Sequence, residues 1–415
     1  MNSNTIIFRI IVFVLFMILL DFYAFQSFKT AFKDNTLVKW IYWITSIGLI
    51  VFILWAMFNL DRRASASARV QILMGSLILF IVPKLILILV MFGEDMVRIG
   101  LGIIRKISGN EGEEFLDSRR KFVSQGALAL ASIPFLGIIH GIWKGKYNYK
   151  VIQKNLVFKD LPSAFDGLTI TQISDIHSGS FDNAEKVAYG VDLINAQKSD
   201  LILFTGDLVN NVADEMEPWK EVFSKLSAPM GKYSILGNHD YGDYVQWDSQ
   251  EDKQKNMEKL FSTHEEIGFK LLRNENVQIE RDGQKIDLIG VENWGDSFVK
   301  HGDLLAATES LSGDSFKILM SHDPSHFDKQ VKTFGKFIHL TLSGHTHGMQ
   351  FGIEIPGLIK FSPVKFKYPK WAGLYEELGR YLYVNRGFGY LAFPGRVGIW
   401  PEITVLKLNK YQGEE

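Results

Sequence analysis

Ser343 to Gln350 read "SGHTHGMQ", directly after the apolar run "FIHLTL" (Phe337 to Leu342). The run has the look of a buried strand, and His345 and His347 follow it one residue apart, between glycines. Two histidines alone could belong to any polar loop. Their meaning depends on what the other strand ends carry.

Several upstream runs end in the same way. "GLTITQIS" leads into Asp175-Ile176-His177, "DLILFTG" into Asp207, "KYSILG" into Asn238-His239-Asp240, and "FKILMSH" delivers His322. Asp175 and Asp207 are 32 residues apart, and Asp207 and Asn238 are 31 apart. Each interval is about one strand-helix-strand unit. Helical candidates fill them, "NAEKVAYGVDLINAQ" (Asn183 to Gln197) and "PWKEVFSKLSA" (Pro218 to Ala228). The expected fold class is therefore α/β, with a parallel sheet whose polar residues gather at the carboxyl ends of its strands, where such sheets bind ligands.

Taken singly, each of these residues reads as an ordinary polar group or a helix cap. The ordered series, each member directly after an apolar strand, does not. Carboxylates, one amide and imidazoles suit two divalent metals about 3.5 to 4 Å apart that share a carboxylate and clamp a phosphoryl oxygen. Imidazole combined with carboxylate favours Mn, Fe or Zn over Mg or Ca. Gly206, Gly237 and Gly344 are read as letting the backbone turn tightly beneath the metals.

Composition narrows the class further. Of 415 residues, 47% are apolar and 22% charged, which excludes a disordered chain. The net charge of -1 gives no sign of nucleic-acid affinity. With no cysteine, neither disulfides nor thiolate metal sites are available.

The apolar excess lies in the first 145 residues, in runs starting at Ile6, Trp40 and Val70. Each approaches or exceeds the roughly 20 residues that cross a bilayer core. A weaker run, Phe122 to Trp143, follows "SRRKF" (Ser118 to Phe122). That pentapeptide reads either as a twin-arginine export signal or as the start of a plain fourth span. Both readings put Arg119 and Arg120 inside the cell and the following domain on the outer face. Charge counts over the loops do not decide the orientation, and Arg62 and Arg63 argue against it. Lys84, beside Pro83, is the one charge read as deep in a span. It is expected to face the bundle or snorkel, with no acidic partner in the other spans. The expected organisation is a membrane domain over 1–145 and a globular domain over 147–415.

In that order, D-x-H, G-D, G-N-H-D, a lone H and G-H-T-H resemble the calcineurin-like metallophosphoesterases, over roughly Leu168 to Leu408. The resemblance implies two facing mixed sheets flanked by helices. It also implies one metal held by Asp175, His177, Asp207 and His347, and a second held by Asp207, Asn238, His322 and His345. His239 would face the leaving group, and water between the metals would attack phosphorus. The closing segment from Asn385 and the "TGDLV" form resemble the membrane-associated, twin-arginine-exported bacterial branch. One departure is Asn210, where many relatives carry an aspartate that orients the histidine, so the protonation of His239 is open.

The expected function is a phosphoester or pyrophosphate hydrolase in a bacterial cytoplasmic membrane, acting on a phosphorylated small molecule or a lipid-linked substrate. The alternative is a catalytically silent sensor or scaffold on the same fold. Arg386 and Arg396, in glycine-rich loops, are read as phosphate contacts or loop braces. "DSQEDKQKNMEKL" (Asp248 to Leu260) is read as a solvated helix rather than a lid.

Overall fold

A computed structural model describes residues 3–59, 68–108, 115–355 and 357–413. The chain divides into two compact units, Met1–Leu60 with Ile72–His140, and Asp61–Gln71 with Gly141–Glu415. Arg62 and Arg63 lie outside the described residues.

The first unit is built on helices α1 (Ser3–Ala31), α2 (Thr36–Asn59), α3 (Ala68–Ser108) and α4 (Phe115–Trp143). They contain four candidate spans, Ile7–Ala31, Thr36–Ala56, Arg69–Ser108 and Ser118–Trp143. A helix satisfies its own backbone, which is the condition for crossing hydrocarbon. Small residues let the helices approach: Ala24, Ala127 and Ala131 pack with Leu87.

The expectation that Lys84 lacks an acidic partner is overturned. Asp21, which falls inside the first apolar run, forms an ion pair with Lys84, and Ser46 Oγ lies 3.1 Å from the ammonium. Both charges are buried, and Tyr42 donates to the backbone oxygen of Asp21 at 2.7 Å. Pairing removes the net charge that would otherwise have to be held in hydrocarbon. The "SRRKF" stretch lies within α4, where Arg120 donates to Asp95 at 2.7 Å and stands 3.7 Å from Glu94.

In the second unit the strands are β1 (Lys150–Phe158), β2 (Leu168–Ile173), β3 (Leu201–Phe204), β4 (Lys232–Ser234), β5 (Lys270–Leu271), β6 (Glu275–Arg281), β7 (Gln284–Gly290), β8 (Lys317–Met320), β9 (Leu340–Ser343), β10 (Ile353–Ile355), β11 (Ile359–Phe361), β12 (Gly373–Glu377), β13 (Arg380–Val384) and β14 (Glu402–Lys410). One six-stranded sheet has the order β1-β14-β2-β3-β4-β5, and the other β12-β13-β9-β8-β7-β6. Both are mixed: β2 to β5 run parallel beside antiparallel β14, and β7, β8, β9 and β13 run parallel between antiparallel β6 and β12.

Strand periodicity explains the layers. Leu201 and Leu203 point into the core shared with Ile318 and Met320 of the other sheet, whereas Ile202 and Phe204 face outward beneath Val187, Val191 and Ile194 of helix α5 (Ala184–Asn195). Leu319 turns to the opposite outer face, with Phe327. The result is two facing mixed sheets flanked by helices. The second helical candidate is shorter than read: Pro218 lies in a 3-10 turn, Ala213–Trp219, before α6 (Lys220–Phe223). The charged stretch is a helix, α7 (Gln250–Glu266), capped by Ser249. Its charged side chains Glu251 and Lys255 are exposed.

Candidate metal centre

Parallel strands of both sheets end at one place, and their carboxyl-terminal loops carry the series read from the sequence. Asp175, His177, Asp207, His345 and His347 all take left-handed backbone conformations, with φ of 51°, 48°, 61°, 71° and 50°. Such conformations cost about 1 to 3 kcal/mol each outside glycine and persist where surrounding contacts impose them. Those contacts are visible. The buried Asp240 carboxylate accepts the backbone N–H groups of Asp207 (2.9 Å), Leu208 (2.8 Å) and Gly237 (2.8 Å), tying two loops together. Asp175 accepts the His345 N–H at 3.0 Å.

Two of the three glycines act differently from expectation. Only Gly206 has a positive φ, 96°. A side chain at Gly237 would collide with the Asp207 carboxylate, and one at Gly344 with Ser174 and Asp175. These two glycines clear space for carboxylates rather than shape a turn.

The side chains form two clusters, Asp175/His177/His347 and Asp207/His322/His345, each with one donor atom per residue within 4.8 Å of the others. His347 Nε2 is 3.1 Å from Asp175 Oδ1, and His322 Nε2 is 3.1 Å from Asp207 Oδ2. His177 Nε2 lies 3.0 Å from His347 Nε2 and 3.5 Å from Asp207 Oδ2. One oxygen of Asp207 thus lies close to a histidine of each cluster. Asn238 stands at the same place with its Oδ1 buried and unpartnered, while its amide nitrogen donates to Tyr244 at 2.8 Å. An orphaned buried carbonyl oxygen needs a partner, and a cation is one that fits.

Electrostatics agree. Among the described residues, Asp175 and Asp207 are buried with only histidines as ion-pair partners. Burial alone would depress the His322 imidazole, but Asp207, helped by Asp175, outweighs it and raises the group to about 10. Burial would raise Asp207, yet its histidine neighbours, His322 foremost, hold it well below the usual carboxylate range. The two buried carboxylates thus draw positive charge toward themselves. His177 and His345 are pushed down by burial, His345 to about 4, and are therefore neutral imidazoles with a lone pair to offer.

His239 belongs to neither cluster. Its Nδ1 faces the backbone oxygen of Asn210 at 2.8 Å, its backbone N–H donates to Asp207 Oδ1 at 2.9 Å, and its ring centre is 4.9 Å from that of His177. The Asn210 side chain turns away, with Nδ2 donating to Ser180 Oγ at 3.1 Å. The polypeptide backbone, not the side chain at position 210, therefore orients this imidazole.

Sequence reasoning missed a supporting layer. Tyr368 Oη lies 2.9 Å from His345 Nε2 and donates to Asp323 at 3.3 Å, leaving His345 Nδ1 turned toward His322 at 3.3 Å. A partner on the far nitrogen fixes the tautomer of a ligating histidine. Asp323 follows His322 directly and was legible in principle, but Tyr368 sits in a loop without strand periodicity. Arg386 and Arg396 are both buried braces. Arg386 pairs with Glu354 (2.5 Å) and Glu402, and Arg396 donates to the backbone oxygens of Gly389 (2.9 Å) and Arg386 (2.8 Å). Neither has a free face for phosphate.

This arrangement has relatives. The chain is 34% identical over 253 residues to the uncharacterized metallophosphoesterase YkuE of Bacillus subtilis (strain 168), covering 60% of this chain and 82% of that protein. It belongs to the calcineurin-like metallophosphoesterase family. Residues 168–349 match the family described as calcineurin-like phosphoesterase, and residues 5–146 the one described as "Probable Calcineurin-like phosphoesterase, transmembrane domain". A bovine transmembrane protein with metallophosphoesterase domain is 28% identical over 308 residues, 71% of this chain and 64% of its own. UDP-2,3-diacylglucosamine pyrophosphatase LpxG of Chlamydia trachomatis is 27% identical over 309 residues, 65% of this chain and 93% of its own. Metallophosphoesterases of this family bind divalent metals and hydrolyse phosphoesters.

Proposed function

We propose that this metallophosphoesterase is an active, membrane-anchored dinuclear-metal hydrolase of phosphoester or pyrophosphate bonds, with lipid-linked phosphates as its substrate class. The observation that carries this reading is the position of Asp207 Oδ2, 3.5 Å from His177 and 3.1 Å from His322. Asp175, His177, Asp207 and His347 would hold one metal, and Asp207, Asn238, His322 and His345 the other. Mn, Fe or Zn bound there would supply Lewis-acid charge for the phosphoryl oxygens and lower the pKa of a bound water. His239 is the proton donor to the departing oxygen. The lipid-linked substrate class is supported by the membrane unit and by the similarity to LpxG, whose name gives it a diacylated sugar nucleotide. A silent scaffold would have no need of seven donors gathered in one place, five of them on strained left-handed backbone.

Chelation should abolish hydrolysis of bis(4-nitrophenyl) phosphate by the purified full chain, and Mn should restore it. Full activity in the metal-free protein would sink the two-metal reading.

The proposed location is a bacterial cytoplasmic membrane with the catalytic domain on the outer face. Twin-arginine export and a plain fourth span differ in one respect: only the former needs arginine itself. The Arg120 pairs with Asp95 and Glu94 support the plain span. Changing Arg119 and Arg120 to lysine is therefore expected to leave the domain open to protease in spheroplasts, as in the unmodified protein. Loss of exposure only in the double variant would restore the export signal, and a protected unmodified domain would reverse the topology.

A further inference from the structure

The segment after the second cluster carries a surface that catalysis does not use. β10 and β11 form an antiparallel hairpin separate from both sheets, with Ile353 opposite Phe361 and Ile355 opposite Ile359. Because side chains alternate along a strand, these four residues share one face. That face is exposed, as are Leu358 in the turn and Phe366 just beyond, at 75% and 81%. The polar pair, Glu354 opposite Lys360, lies on the other face and turns inward, Glu354 to Arg386 and Lys360 to the Ala372 backbone oxygen. A hairpin facing water would be expected to show the reverse, polar out and apolar in.

Further observations point to what covers it. Lys365 lies over the Phe361 and Phe366 rings at 5.1 and 5.7 Å, and Lys367 over Phe298 at 5.5 Å. Aromatic rings with adjoining lysines are the chemistry of the headgroup boundary. The hairpin root is also close to the end of the last candidate span. Gly352 donates to Val397 at 2.9 Å, and Arg396 donates to Gly141, two residues before Trp143, at 3.2 Å, all within the second unit. Toward the metal centre, Ser362 donates to Gly348 O at 2.7 Å, next to His347, and Tyr368 reaches His345.

We propose that the hairpin Ile353–Phe361, with Phe366, lays its apolar face into the bilayer that the chain itself spans, so that the metal centre takes phosphorylated headgroups directly from the membrane. The headgroup clause rests on the lipid-linked reading above; the insertion does not.

The chain has no cysteine, so single cysteines can be labelled cleanly. Leu358→Cys and Phe366→Cys, with Leu305→Cys on an exposed site elsewhere as control, would carry an environment-sensitive fluorophore on the full chain in phosphatidylglycerol/phosphatidylethanolamine nanodiscs. Insertion to about 5 to 10 Å predicts at least about twofold stronger quenching by lipid-borne spin label at 358 and 366 than at 305. Quenching by iodide from water should fall correspondingly. Equal iodide access at all three sites overturns insertion, and so does cross-linking between copies at 358 without lipid quenching. Hydrolysis of CDP-diacylglycerol in the same nanodiscs separates the two readings. Lipid quenching without that hydrolysis leaves insertion standing and removes the headgroup clause.

Discussion

Asp207→Ala is expected to reduce kcat/KM for bis(4-nitrophenyl) phosphate by at least about 10³-fold, because a metal pair contributes several kcal/mol of charge stabilisation and each 1.36 kcal/mol is tenfold. Its Oδ2 faces an imidazole nitrogen of each cluster, and loss of this carboxylate should empty both sites. Asn238 offers a contrast. It presents one orphaned oxygen, so Asn238→Ala should weaken a single metal and be rescued by excess Mn. Asp207→Asn keeps an oxygen to accept the His239 N–H but removes the charge that faces His177 and His322. It should resemble the alanine variant if charge is what holds the cations. Metal content by mass spectrometry, measured alongside the rates, decides the matter: two metals per chain in Asp207→Ala would show that the bridge is not needed.

The strand ends were legible because the sequence code there is local. A short apolar run announces the strand, and the polar residue after it announces the loop, so Asp175, Asp207, His322 and His345 could be placed without tertiary knowledge. The division into two sheets was not legible from periodicity. β8 and β9 read like β2 and β3, and only long-range pairing, such as β9 with β13, assigns them to the second sheet. The Lys84–Asp21 pair was missed for a related reason. A single aspartate barely lowers the hydropathy of its span, and its role depends on a neighbour 63 residues away. The carboxylates were visible as donors, but not the loop geometry that the Asp240 carboxylate imposes on them. The apolar hairpin was unread because three-residue strands carry too little pattern, and its outward face emerges only from the register.

His239→Ala should cost about 10² to 10⁴-fold on an alkyl phosphodiester and far less on a nitrophenyl ester, because only the alkoxide needs a proton in order to leave. The geometry supports this division. Nδ1 is occupied by the Asn210 backbone oxygen, which makes it the N–H side of the neutral ring and leaves Nε2 as the nitrogen that gains and gives the catalytic proton. Burial lowers the imidazole below its ordinary value, which makes its protonated form a stronger acid, and the Asp207 charge opposes that shift. Because the Asn210 side chain is held by Ser180, Asn210→Asp should leave the leaving-group dependence of the rate unchanged, contrary to the expectation that a carboxylate at that position would orient the ring. A metal ligand behaves otherwise: its removal slows alkyl and aryl esters alike, and added metal repairs part of the loss. Equal losses on the two substrates at His239→Ala, relieved by more Mn, would move His239 into the metal shell and leave the departing oxygen without a proton donor from this chain.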